Sequence, residues 1–262
     1  MALIPKRRRI AVVELFGTIG GRVRSPEYER ILTRVRENRR FGALVLDIDS
    51  PGGSVMASDY LYRQVARIAE EKPVVASVRG TGASGSYYIA CAASKIVASH
   101  GAIIGSIGVL SVTPILEELL SRLGVGINVR KSGAYKDMGA FWRQPTPDET
   151  EKLQAIIDES YETFVSVVSK ARGLDESTVR GLATGEVFWA PTALQNGLID
   201  EVGDLDRAVD MAAELSGAPA KPAFLRPARS FRERILGPFA ETLVDAVATE
   251  IERRMMTSSL RY

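Results

Sequence analysis

Buried strands alternate with helices along most of the chain, and this alternation limits the fold more than any other feature. Apolar, β-branched runs at 10–16, 43–49 and 73–78 predict strands, and residues that favour turns follow the first two. Helical spacing of apolar residues follows two of them, at 25–39 and roughly 56–70. Strands and helices that alternate with short connections indicate a parallel sheet with crossover helices, which is an α/β fold.

The middle of the chain predicts further elements. Residues 84–93 predict a small-residue helix, 114–123 a second helix and 126–130 a strand. Thr146 is a predicted N-cap, with Glu149 three residues later as its capping-box partner. The long helix that follows places these apolar side chains on one face: Leu153, Ile156, Ile157, Tyr161, Phe164, Val165 and Val168.

The chain divides into three parts. Residues 1–216 carry the strand–helix alternation and predict one domain, and 217–229 contain three prolines and predict a linker. Residues 230–262 predict a C-terminal amphipathic helix and tail, because apolar residues recur there every four positions. We expect this helix to pack on the domain or on another subunit. Its arginines leave contact with a membrane surface as an alternative.

Composition excludes several classes of function. With 34 basic and 32 acidic residues the net charge is +2, so nothing predicts a nucleic-acid partner. The lone cysteine, Cys91, forms no internal disulfide, and the lone histidine, His100, excludes zinc sites that need several imidazoles. We expect no metal and no cofactor. Since no apolar run is long enough to cross a bilayer, we expect a cytoplasmic protein, with peripheral contact to a membrane left open.

The first candidate motif is Asp49-Ser-Pro-Gly-Gly53, directly after a predicted strand. Ligands bind at the carboxyl ends of strands in open α/β sheets, and outward N–H groups of Gly52 and Gly53 could hold an oxyanion there. A tight strand-to-helix turn with no chemistry explains the same residues.

The second candidate is Ser84, within Gly80-Thr-Gly-Ala-Ser84-Gly85-Ser86, where a predicted strand meets a predicted helix. The nucleophile of α/β-hydrolases lies on a similar turn, although the last glycine of that pattern is missing here. The alternative is a helix whose small residues serve packing.

The third candidate is Lys136, in a polar turn. A lysine becomes a general base only where desolvation lowers its pKa by several units, and most lysines are solvated surface charges. Together the motifs supply a Ser-Lys acyl-transfer site, in which Lys136 takes the proton of Ser84 and the N–H groups of Gly53 and Gly85 hold the oxyanion. His100 has no marked partner and is expected to be exposed or structural.

At these residues the sequence resembles the signal peptide peptidase A family of serine proteases, in a short single-domain form. The resemblance runs from about residue 9 to 215 and rests on the motifs above, on Tyr87-Tyr88, on Gly105-Ser106-Ile-Gly-Val109 and on Lys131-Ser-Gly-Ala-Tyr-Lys136-Asp137. It implies a Clp/crotonase-like fold of stacked βαβ units, followed here by the C-terminal helix.

The resemblance also implies site residues and partners. Ser84 is the expected nucleophile, Lys136 the base and Ser106 the residue that orients the lysine. Gly53 and Gly85 are the expected oxyanion hole, with Gly52 as an alternative within one position. Family members form rings, commonly octamers, with the base near a subunit boundary, and cleave remnant signal peptides or other unfolded segments.

Two departures from the family matter for function. Ser86 stands where members usually carry a second glycine, which places another hydroxyl near the site. The membrane anchor that usually precedes the catalytic domain is missing from this sequence, which favours soluble peptides or proteins as substrates.

Three other interpretations compete with a Ser-Lys protease. A Clp-type Ser-His-Asp triad is rejected because His100 lies only 16 residues after Ser84, not the expected 25 or so. A crotonase-like acyl-coenzyme A enzyme would need a carboxylate base, and the sequence offers no clear candidate. An inactive ring-forming scaffold would not require intact Ser84, Ser106 and Lys136.

Overall fold

The computed structural model describes residues 8–227, and the statements below concern that range. Its strands are β1 (Arg9–Phe16), β2 (Phe41–Ser50), β3 (Val74–Ala83), β4 (Lys95–Ala98), β5 (Ile103–Gly105), β6 (Val187–Trp189), β7 (Glu201–Val202) and β8 (Pro222–Leu225). Its helices are α1 (Ser25–Glu37), α2 (Val55–Ala69), α3 (Gly85–Ala90), α4 (Glu117–Arg122), α5 (Pro147–Arg172), α6 (Glu176–Leu182), α7 (Ala190–Gln195) and α8 (Leu205–Ser216).

The strands form one sheet in the order β6-β5-β3-β2-β1-β8, with β4 and β7 off this path. Every pairing is parallel except that of β5 with β6. One edge of β3 serves two strands, since 75–78 pair with β4 and 81–83 with β5. The predicted α/β fold with a parallel sheet is therefore confirmed.

The sheet is covered on both faces, as the near-continuous apolar run of β2 predicts. Leu44, Leu46 and Ile48 enter the larger core, which also contains buried residues of α1, α2, α3 and α5. Ala43 and Val45 point to the opposite face and pack in a smaller core with residues of α8. This layering fixes the carboxyl ends of β2 and β3, where two of the candidate motifs begin.

The described range contains two departures from the predicted elements. Residues 126–130, predicted as a strand, have no strand partner within 8–227, and the predicted helix at 114–123 is limited to α4. Apolar alternation suggested the strand, but Val125, Ile127 and Val129 all stay exposed.

The segment 217–229, interpreted from its prolines as a linker, contains β8, which pairs with β1. The predicted C-terminal amphipathic helix at 230–262 lies outside the described residues.

Residues 108–160 contribute no side chain to either buried core cluster. The long helix α5 changes from exposed to buried along its length. Of its predicted apolar face, Phe164, Val165 and Val168 are buried, whereas Ile156 is 55% exposed. The first half of α5 and the segment before it therefore expose apolar surface.

None of the helices in the described part of the chain combines the length and the apolar character that spanning a bilayer requires.

Candidate active site

The loop after β2 is shaped by two glycines with positive φ. Gly52 has φ 91° and Gly53 φ 150°. A Cβ on Gly52 would lie 2.7 Å from Gly85 N, and one on Gly53 would overlap the backbone of Ile19. The Gly52 N–H donates to Ser50 Oγ at 3.2 Å, whereas the Gly53 N–H has no acceptor among the described residues.

Ser84 occupies a strained turn between β3 and α3, with φ 53° and ψ −125°. This backbone conformation costs a non-glycine residue about 1–3 kcal/mol and persists only where its surroundings enforce it. Two hydrogen bonds do so: Ser84 N–H donates to Gly105 O at 2.8 Å, and Ser84 O accepts from Tyr88 N–H at 2.9 Å. The Ser84 hydroxyl has no hydrogen-bond partner within residues 8–227, so it is available for chemistry.

The second candidate oxyanion donor, Gly85, is the first residue of α3. Its N–H has no acceptor in the described range, and a Cβ added to it would lie 3.5 Å from Gly53 N and overlap Ser58 Oγ. Gly53, Ser84 and Gly85 line one pocket. The structure thus brings together three of the predicted site residues, with two N–H groups left open beside the hydroxyl.

The hydroxyl of Ser86, unlike that of Ser84, is not free. Its side chain is fully buried, with Oγ 2.7 Å from Ser50 O and 2.9 Å from Ala83 O, both of which accept from it. The second hydroxyl suggested by the sequence therefore holds the two loops together and points away from the pocket that Ser84 lines.

The pocket beside Ser84 has a volume of about 320 Å³. Its apolar wall is formed by Val55, Met56, Tyr88, Val109 and Phe164. Asp59, Arg63, Ser160 and Thr163 add a polar part. The carboxylate of Asp59 is engaged there, since it accepts from Tyr88 Oη at 3.2 Å and from Arg63 Nε at 2.7 Å.

Ser106 lies beside Ser84 at the end of the neighbouring strand. Ala83 and Gly105, the residues before each serine, are paired in the β3–β5 ladder. Ser106 has φ 50°, and within the described chain Ser84 and Ser106 are the two non-glycine residues with positive φ. Its N–H donates to Glu186 O at 2.7 Å.

Lys136 lies apart from these residues. Its side chain is exposed, and it does not line the pocket that contains Ser84. A single copy of the described chain therefore brings Ser84, Ser106, Gly53 and Gly85 to one edge of the sheet and leaves the predicted base elsewhere.

An ion-pair network lies next to Lys136, and the sequence pattern did not predict it. Arg143 bridges two carboxylates: Nε donates to Asp137 Oδ2 at 3.0 Å, and Nη1 donates to Glu149 Oε2 at 2.8 Å. Hydrogen bonds from Arg143 hold the pKa of Asp137 well below its usual range and lower that of Glu149 to about 2. The sequence signal for this network was the capping box, which the structure confirms between Thr146 and Glu149.

The single histidine and the single cysteine lie outside this arrangement. His100 is exposed in the turn between β4 and β5 and does not line the pocket. Cys91 is buried, and burial raises the pKa of its thiol to about 12, which leaves it without thiolate character near neutral pH.

The comparison with protein families decides the assignment. The profile described as peptidase family S49 matches residues 66–218, a range that contains Ser84, Ser106 and Lys136. The chain belongs to peptidase family S49. This match, together with the SPPA relative described below, confirms the resemblance to signal peptide peptidase A.

Similar proteins have protease names. "Putative protease slr0021" of Synechocystis sp. is 40% identical over 211 residues, which cover 80% of this chain and 76% of that protein. The chloroplastic serine protease SPPA of Arabidopsis thaliana is 33% identical over 84% of this chain. The chain spans only 34% of the length of that plant protein. These names support a serine-type peptidase.

A solved structure confirms the fold expected for an S49 peptidase. The 1510-N membrane-bound stomatin-specific protease, in complex with a substrate peptide, matches with a TM-score of 0.54 over 90% of this chain and 99% of that one. Sequence identity is 18%, so the likeness bears on fold alone. That fold is the Clp/crotonase-like fold.

Proposed function

We propose that this S49 peptidase is a serine endopeptidase with a Ser-Lys dyad, in which Ser84 is the nucleophile and Lys136 the general base. The observation that carries the proposal is the strained turn at Ser84, with a hydroxyl free of partners beside the open N–H groups of Gly53 and Gly85. A turn that served packing alone would not need a serine with a positive φ angle.

In the proposed acylation step, Ser84 Oγ forms a bond to the peptide carbonyl carbon and its proton passes to neutral Lys136 Nζ. The carbonyl oxygen becomes an oxyanion that accepts from the N–H groups of Gly53 and Gly85, where preorganised donors lower the barrier. The C–N bond then breaks, and the amine leaves with the proton from Lys136. Water attacks the acyl-enzyme in the same way and regenerates Ser84.

Gly53 and Gly85 are the better pair for the oxyanion hole. The N–H of Gly52 already donates to Ser50 Oγ, so it cannot point freely at an oxyanion. A side chain on Gly52 would also press on the backbone of Ala83 and Gly85. Gly52 therefore shapes the loop, and its two neighbours in the pocket donate.

We propose that Lys136 comes close to a Ser84 hydroxyl only when several copies of the chain assemble. A general-base lysine needs desolvation, and one copy leaves Lys136 exposed. The surrounding segment exposes large apolar side chains such as Leu110, Val112 and Leu123, which favours burial against a second copy. A homo-oligomeric ring, octameric by family resemblance, would bury this segment and complete the dyad. Ser106 would accept from the Lys136 amine and orient it.

The proposed substrates are peptides and unfolded protein segments, remnant signal peptides among them. The pocket beside Ser84 is largely apolar and accommodates one side chain of small or moderate size next to the cut bond. The crotonase-like alternative lacks support, because the carboxylate in this pocket, Asp59, is already engaged by Tyr88 and Arg63.

A serine-reactive fluorophosphonate tests the proposal directly. We expect mass spectrometry to find the adduct on Ser84, and both labelling and peptidase activity to disappear in Ser84→Ala. Ser86→Ala is the matched control: it removes a neighbouring hydroxyl that joins the two loops but does not line the pocket, so the protein should still be labelled on Ser84 and keep measurable activity. Labelling of Ser86, or unchanged cleavage by Ser84→Ala, would show that the nucleophile is assigned wrongly.

A further inference from the structure

We infer that Arg143 is a positioning residue for Lys136: it fastens the turn that carries this lysine to the first turn of α5. This inference rests on the proposed role of Lys136 as the base. Arg143 lies on no wall of the Ser84 pocket, so any effect on catalysis must pass through the residues it holds.

Arg143, Asp137 and Glu149 form a clamp that uses most of the donor groups of the guanidinium. Toward the lysine turn, Nε donates to Asp137 Oδ2 at 3.0 Å, and toward α5, Nη1 and Nη2 donate to the two carboxylate oxygens of Glu149 at 2.8 and 2.5 Å. The side chains of Asp137 and Glu149 are 9% and 3% exposed, so water competes little for these bonds. Such a planar fork between two carboxylates is a task that arginine performs and lysine does not.

The far end of the clamp is anchored in the rigid part of the molecule. The Glu149 carboxylate also accepts from Thr146 N–H at 2.9 Å, which closes the capping box at the start of α5. The other half of α5 buries Phe164 and Val165 in the main core. The buried half of α5 therefore fixes the position of Glu149. Through Arg143, Glu149 in turn fixes Asp137, the residue next to Lys136.

The turn has few other means of support. Residues 108–160 contribute nothing to the buried core clusters, so the turn that carries Lys136 depends on contacts with its near neighbours, such as the Lys152 ammonium over the Tyr135 ring. Lys131 Nζ adds one such contact, to Asp137 Oδ1 at 2.5 Å. A base displaced by roughly 1 Å from its nucleophile can lose about 100-fold in rate, so the accuracy of this support bears on catalysis.

The clamp is also balanced in charge. Lys131 and Arg143 are cations, Asp137 and Glu149 are anions, and these four charges cancel. Removal of the Arg143 charge would leave a net negative charge next to Lys136, which favours its protonated ammonium form. Two separable effects follow from this balance: loss of the fork disturbs position, and loss of the charge shifts the pH at which the base becomes neutral.

Three variants separate these effects when kcat and KM for a fluorogenic peptide are measured from pH 6 to 10. For Arg143→Gln we expect kcat to fall by about 10- to 100-fold with little change in KM, and the midpoint of the pH profile to rise. For Arg143→Lys we expect a similar loss of kcat with the midpoint unchanged. Arg180→Gln is the matched control, because it removes another two-bond arginine–carboxylate pair, with Glu162, and neither residue lines the Ser84 pocket or contacts the turn of Lys136.

Folded fraction and oligomer size, measured by circular dichroism and light scattering, keep the test independent of simple unfolding. The inference is overturned if Arg143→Gln behaves like Arg180→Gln in kcat and pH midpoint, or if its loss of activity only matches its loss of folded protein. Lys136→Ala, measured alongside, tests the proposed function separately: full activity in that variant would remove the base itself, whatever Arg143 does.

Discussion

The backbone N–H of Ser84 donates to the carbonyl oxygen of Gly105 at 2.8 Å, which joins the turn after β3 to the turn after β5. Gly105 precedes Ser106, so this bond couples the two serines that adopt positive φ in the described chain. Each turn holds the other in a conformation that neither sequence would prefer alone. The strain at the nucleophile is thus maintained by its neighbour in the proposed site.

Replacement of Ser84 by glycine should separate stability from activity. Glycine adopts φ 53° without the penalty that serine incurs, so we expect Ser84→Gly to raise the free energy of unfolding by about 1 kcal/mol. The same variant should lose peptidase activity by at least about 1,000-fold, because the nucleophile is gone. Chemical denaturation and a peptide assay measure the two effects. A destabilised Ser84→Gly protein would show that the turn is not strained.

The pH dependence of activity should identify the base. Since a lysine base acts in its neutral form, activity should rise continuously toward mildly alkaline pH. His100 is exposed and outside the pocket, so His100→Ala should leave this profile unchanged, whereas Lys136→Ala should abolish activity at every pH. A midpoint near 6.5 that disappears in His100→Ala would assign the role to the imidazole instead.

Local backbone geometry can be predicted from the sequence around Ser84. Gly53, Ser84 and Gly85 lie together as predicted, because a strand end followed by small residues permits few conformations, while their catalytic roles stay predictions. A pattern that needs a distant partner is harder to predict: the alternation at 126–130 is typical of a strand, yet nothing in the described chain pairs with it. Arg143 was missed because its two partners lie across a turn, with no periodicity to mark them.

Acid stability should report the clamp at the start of α5. Hydrogen bonds from Arg143 lower the pKa of Glu149 from 4.5 to about 2, so the carboxylate stabilises the folded state fully above about pH 4.5. This contribution is lost as the pH falls from 4.5 toward 2. We therefore expect Glu149→Gln to be less stable than the parent at pH 7, with the difference vanishing near pH 2. Urea unfolding at several pH values measures it.

A stability difference for Glu149→Gln that stayed constant down to pH 2 would contradict this assignment. It would mean that Glu149 stabilises the protein through packing and not through its charge. Glu162→Gln supplies a control on the same helix, because Arg180 also lowers the pKa of Glu162, but in an exposed ion pair that contributes little.

Assembly and activity should fail together when the exposed apolar segment is made polar. Val112 is 81% exposed in one copy, so Val112→Glu should leave the fold of a single chain intact. If a second copy covers this segment, the buried charge should weaken assembly, and activity should fall because Lys136 loses its desolvated position. Leu215, 48% exposed at the end of α8, provides the control Leu215→Glu, which should keep both properties. Light scattering and peptide cleavage, measured over a range of protein concentrations, compare the variants. A monomeric Val112→Glu protein with full activity would show that one chain contains the whole site.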